Sequence, residues 1–138
     1  MITTSTVLTL SLATATGVYM IAGGLSGFLL GRERWAKILE AFRSNAGITY
    51  MSGVFVFVMG VAIILAHNIW TDPLAVVVSL FGWAAAVEGT ILIAYPDPLL
   101  KWAISFTRPG AVRAFAAFTI VIGVVLLILG LTGRAGVV

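Results

Sequence analysis

Four long apolar stretches, separated by two polar connections and one short polar turn, set the pattern of the chain. They run roughly from Val7 to Leu30, Gly47 to Ala66, Leu74 to Tyr95 and Ala111 to Leu131. Each approaches the ~20 residues with which a helix crosses a hydrocarbon core about 30 Å thick. The second stretch holds no charged residue and the third only Glu88, so with no water to satisfy backbone groups the expected spanning form is the helix. A β-barrel is excluded, because the stretches lack alternating polarity and are twice too long for barrel strands. The opening "MITTSTVLTLSL" has no positively charged lead-in and its apolar run is too long for a signal peptide, so it reads as a retained span.

The connections follow a different period. In "GRERWAKILEAFRSNAG", Trp35, Ile38, Leu39 and Phe42 recur at helical spacing, while Arg32, Glu33, Arg34, Lys37, Glu40 and Arg43 fill the remaining arc. That pattern predicts an amphipathic interfacial helix whose basic face favours anionic lipid. The later "YPDPLLKWAISFTRPG" offers Asp97 as a cap and Pro98 at the first helical position. Leu99, Trp102 and Phe106 follow along one side, with Lys101 beside them, before Pro109 and Gly110 stop the helix. Asp72 followed by Pro73 starts the third span in the same way, leaving "HNIWTDP" as a short turn at the opposite membrane face.

Composition agrees, since 61% of the chain is hydrophobic and only 9% charged, outside the range of soluble domains. Of the eight basic residues, Arg32, Arg34, Lys37, Arg43, Lys101, Arg108 and Arg113 lie in or beside the two long connections. Both connections are therefore expected in the cytoplasm and both termini outside it. This bias accounts for the basic balance without a nucleic-acid partner. Absence of cysteine excludes disulfides and thiolate metal sites.

The expected fold is thus an all-α membrane protein, a single transmembrane domain over residues 1–138 with four transmembrane helices. A shift of 63 residues pairs Ala22 with Ala85, Leu29 with Leu92, Phe55 with Phe118 and Gly60 with Gly123. Each half also repeats one plan of span, amphipathic connection and glycine-started span. The halves read as parallel repeats, about 7–66 and 74–131, each a hairpin, related by an axis along the membrane normal. Gly23, Gly27 and Gly31 fall on Ala86, Thr90 and Ala94 under this shift, marking a small residue every fourth position on the first and third spans. On the second and fourth the spacing becomes seven, through Gly53 and Gly60 and through Ala116, Gly123 and Gly130. Helices in lipid associate where small residues let backbones approach, so these positions are the expected packing seams, within the chain or between chains.

Around Glu88 the stretch "VEGTILIAYPDPLLKWAISFTRPGAVRAF" resembles the YjeT-like family of small bacterial inner-membrane proteins. Glu88, Gly89, Tyr95, Pro96, Trp102, Pro109 and Arg113 carry the resemblance, over about residues 85–133. The first half lacks the acid, with Leu25 in its place. The resemblance implies the spanning fold and a bacterial inner-membrane location, and supplies no reaction.

Glu88 is the one charged group well inside a span, a costly position that asks for a partner. Arg113 is the expected one, with Tyr50, Lys101 or the backbone as alternatives. Such a pair fixes helix register, handles a proton, or anchors another subunit. His67, alone near Asn68, Trp70 and Asp72, reads as an interfacial hydrogen-bonding residue and not a metal ligand. Trp35, Trp70 and Trp102 fall at expected interfaces and Trp83 in mid-span. No set of residues assembles a nucleophile with its base, or a phosphate cradle, so no catalytic site, cofactor or metal is expected. The functional expectation is a non-catalytic accessory subunit that binds itself or a larger membrane complex. The alternative is a proton or small-ion channel or carrier using Glu88, although no proline breaks any span as transporters usually require.

Overall fold

A computed structural model describes residues 3–108 and 110–136. Four long apolar helices, each long enough to cross a membrane, dominate it: α1 (Val7–Leu29), α3 (Ala46–Ala66), α4 (Pro73–Ala94) and α6 (Ala111–Thr132). The connections between α1 and α3 and between α4 and α6 carry the shorter α2 (Gly31–Ser44) and α5 (Asp97–Ser105). Two short strands, β1 (Thr3–Thr4) and β2 (Arg134–Ala135), pair in parallel and bring the two ends of the chain together. The protein is all-α in class.

Local chemistry sets the helix starts. Side chains of Thr6, Asn45 and Asp72 each accept the backbone N–H three residues on, capping α1, α3 and α4. Asp72 is followed by Pro73, which has no N–H to satisfy in the first turn. At α5 the start differs from the sequence expectation. Pro96 already has helical angles (φ −71°, ψ −24°), so Asp97 is the first helical residue and not the cap. Pro109 lies outside the described residues. Gly31 (φ +67°) and Gly110 (φ +83°) occupy the left-handed region at the joints from α1 into α2 and from α5 into α6. A side chain there would be strained, so Gly31 serves a bend between a spanning and a surface helix.

Helix pairing also departs from the expected hairpins. The close pairs are α1 with α6 and α3 with α4, whereas α1 and α4 touch over a short length. Connection length gives the reason. The 14 residues of α2 rise about 21 Å, twice the ~8–10 Å between packed helices, so α1 and α3 are carried past contact. His67–Asp72 is a tight turn, so α3 and α4 return directly on each other. Both surface helices therefore cross from one pair to the other, and they meet side by side.

Each pair is held by backbone approach at small residues. A Cβ on Gly17 would lie 2.7 Å from the Gly123 carbonyl oxygen, and one on Gly24 would lie 2.8 Å from the Ala116 carbonyl oxygen. In the other pair Gly60 abuts the backbone of Ala85 and Ala86, and Gly89 that of Phe57. Gly17 and Gly24 on α1, like Gly82 and Gly89 on α4, are seven apart. This is the repeat of two shallowly crossing helices.

The pairs join at the end that holds the chain termini and the α3–α4 turn. There Ala13, Leu74, Val78 and Leu126 form the buried apolar cluster, with Leu10, Met20 and Phe81 packed against it.

Candidate functional site

Three regions bear on function: a polar clasp at the turn end, a carboxylate inside a span, and a charged cleft at the surface-helix end. The clasp begins with His67, which caps α3 and is only 1% exposed. The Ser79 hydroxyl on α4 donates to the Ile69 carbonyl at 2.8 Å and accepts the Ile69 N–H at 3.1 Å. Its hydrogen is thereby committed, so His67 Nδ1, 3.2 Å away, must carry the proton that Ser79 Oγ accepts. In the neutral ring Nε2 then accepts from the Thr9 hydroxyl at 2.9 Å, and Thr9 accepts in turn from Thr6 at 3.0 Å. One directed chain of hydrogen bonds thus ties α1 through His67 to α4. The sequence placed this histidine at an interface, and the structure buries it as the link between three helices.

Asp72 completes the clasp. Its Oδ1 accepts the Ala75 N–H at 2.9 Å. Its Oδ2 accepts from the Thr4 hydroxyl at 3.0 Å, the Ser5 N–H at 3.2 Å and the Ser5 hydroxyl at 3.3 Å. Burial of the carboxyl pushes its pKa up, but the hydrogen bonds from Ala75, Ser5 and Thr4 outweigh that and hold it below the ordinary aspartate value. Trp83, read from sequence as mid-span, also reaches this end: its indole N–H and that of Trp70 both donate to Asn68 Oδ1, at 3.3 and 2.8 Å.

Glu88 and Arg113 do not meet. Both are exposed on the isolated chain, and α4 packs on α3 while α6 packs on α1. Among the described residues no ion pair or hydrogen bond engages the Glu88 carboxyl. By register Glu88 continues the row Leu74, Phe81, Glu88, Tyr95, whose first two members join the apolar cluster. Glu88 therefore lies on the side of α4 that turns toward α1, beyond the point where α1 and α4 touch.

The expected small-residue seams are divided. Gly53 faces Leu92 and Ile93, Gly60 faces Ala86, Gly123 faces Gly17 and Ile21, and Gly130 faces Leu10 and Thr14. Gly27 meets Ala116. Gly23 and Gly31 have open space where a Cβ would stand, and Thr90 and Ala94 are exposed. A four-residue repeat advances 40° per step around a helix of 3.6 residues per turn and drifts off a straight seam, whereas a seven-residue repeat stays on it. Gly17, Gly24, Gly82 and Gly89, which carry the seam on α1 and α4, were legible as seven-spaced pairs.

At the other end α2 turns Trp35, Ile38, Leu39 and Phe42 partly inward while Arg32, Arg34, Lys37 and Arg43 stay exposed. The apolar arc is thus half covered by the chain itself. Arg32 Nε donates to the Thr107 carbonyl at 2.7 Å, linking α2 to the end of α5. Trp102 is exposed and packs edge-on against Phe106, ring centres 4.6 Å apart. Two adjoining clefts of about 210 and 280 Å³ lie between α2, α3, α4 and α5. Arg43, Asp97 and Leu100 line both, Lys101 the smaller, and Phe42, Tyr50 and Leu92 the larger. Arg43 and Lys101, far apart in sequence, are brought to one place. No protein-family model, curated protein or solved structure matches the chain.

Proposed function

We propose that this is a non-catalytic integral membrane protein that acts as an assembly subunit, binding copies of itself or a larger membrane complex. The observation that carries the reading is Glu88, a carboxylate within a spanning helix that finds no partner among the described residues of its own chain. A carboxylate inside a span is costly and normally pairs with another group. A neighbouring subunit supplies that group. The open face at Gly23 gives such a neighbour close-approach surface that the internal seams leave unused.

The location that goes with this reading is the bacterial inner membrane, with α2 and α5 on the cytoplasmic side and the termini outside. Its support is the basic bias of the two surface helices and the resemblance of residues 85–133 to the YjeT-like family. Duplication of an ancestral half is the matching proposal for origin. Its support is the correspondence of two contacts at glycines that the shift of 63 pairs, Gly60 against α4 and Gly123 against α1.

A second reading, a proton or small-ion carrier, is favoured by one observation: Glu88 lies on the face turned toward the gap between the helix pairs. The two readings separate on Glu88→Gln. In the assembly reading the parent chain runs as an oligomer or larger complex in mild detergent, and the substitution loosens it. A strictly monomeric parent with Glu88→Gln indistinguishable from it defeats that reading. In the carrier reading, reconstituted vesicles show a proton flux that Glu88→Gln abolishes, and absence of flux from the parent defeats it.

A further inference from the structure

We infer that the cleft bounded by Arg43, Asp97 and Lys101 is a binding site for the headgroup of a monoanionic glycerophospholipid with free hydroxyls, of the phosphatidylglycerol type. The inference stands apart from the assembly reading. Three features define the occupant. The first is charge: two cations from separate helices and one carboxylate surround the cleft, a balance of one positive charge that a single phosphodiester neutralises. Among the described residues neither cation is held in an ion pair, so both remain available to phosphate oxygens.

The second feature is the carboxylate itself. Asp97 beside the cations disfavours a dianionic phosphomonoester and offers acceptor oxygens to the hydroxyls of a glycerol headgroup. The third is the shape of the lining. From its charged mouth the larger cleft continues between Phe42, Leu92 and Leu100 toward the spanning helices, the direction in which acyl chains run. Leu92 and Leu100 are both buried. Basic pockets at the ends of spanning helices are suited to anionic headgroups, and the two clefts together hold a headgroup, not a whole lipid.

Native mass spectrometry of the full chain, delipidated and then titrated with defined lipids, tests the site. Phosphatidylglycerol binds in preference to phosphatidylcholine and phosphatidic acid. The double substitution Arg43→Gln with Lys101→Gln weakens phosphatidylglycerol roughly thirtyfold, from about 1 kcal/mol per basic residue. Arg34→Gln with Lys37→Gln, an equal loss of charge on the exposed face of α2, leaves it nearly unchanged. Asp97→Asn keeps binding but erases the preference over phosphatidic acid. Unaltered thermal unfolding of each lipid-free variant assures that the fold is intact. Equal loss from both double substitutions reduces the effect to diffuse surface charge and overturns the site. Displacement of the lipid by inorganic phosphate or free glycerol phosphate makes it a soluble-anion site and overturns the lipid assignment. Retention of phosphatidylglycerol by the Arg43→Gln, Lys101→Gln protein overturns it outright.

Discussion

The two ends of the molecule are fastened by different means. At the turn end α1 and α4 meet directly, through an apolar cluster and a run of buried hydrogen bonds centred on His67 and Asp72. At the other end the same helices carry Gly23 and Glu88, neither with a partner among the described residues, and the pairs are bridged by α2 and α5 instead. Polar groups are therefore concentrated where they can be fully satisfied, and the half left open is the half with an unpaired acid. Tightly packed and open surfaces thus lie at opposite ends of the same helices.

Substitutions can break this contrast in order of effect. Gly60→Val should be the most damaging, because the added side chain meets the backbone of Ala85 and Ala86 on α4, which cannot yield as a flexible side chain would. A loss of about 3 kcal/mol is expected in reversible unfolding from mixed micelles, and an unchanged unfolding curve contradicts the α3–α4 seam. His67→Ala comes next. It leaves the Thr9 and Ser79 hydroxyls facing a cavity, with an expected loss of about 2 kcal/mol by the same measurement. Thr9→Val should reproduce part of that loss, and additivity of the two changes would show that they do not share one hydrogen-bond chain.

A smaller effect is expected from acid. The folded-state pKa of Asp72 lies below its unfolded value, so its contribution is complete above the unfolded pKa and disappears as pH falls through the folded one. Stability should decline below about pH 4, and Asp72→Asn should flatten that part of the profile while removing about 1 kcal/mol at neutral pH, because an amide nitrogen in place of Oδ2 cannot accept from Thr4 and Ser5. The least effect on the single chain belongs to the open half. Gly23→Ala and Glu88→Gln should each change monomer stability by under about 0.5 kcal/mol. A large loss from Glu88→Gln in the dispersed monomer would reveal a partner within the chain and remove the contrast.

Much of this architecture is legible in the sequence. Apolar run length gives the four spanning helices, the Asp72–Pro73 pair gives the start of α4, and the spacing of Trp35, Ile38, Leu39 and Phe42 gives the inward arc of α2. Helix partnership is less accessible. The spacing of four at Gly23, Gly27 and Gly31 competes with the spacing of seven at Gly17 and Gly24, and both are present in one helix. Only the reach of α2 decides between neighbours, because it separates α1 from α3. The burial of His67 depends on hydroxyls 58 and 12 residues away, and the meeting of Arg43 with Lys101 depends on α2 and α5 lying side by side. Long-range coincidences of this kind leave no periodic signal.

Crossing of the two surface helices has a consequence for biogenesis. As the chain emerges from the ribosome, α3 and α4 can dock at once across their tight turn, but α1 has no close companion until α6, which begins at Ala111, is made. For that interval Gly17 and Gly24 lack the α6 backbone against which they pack in the finished fold. The β1–β2 pairing, which needs both chain ends, closes the structure last.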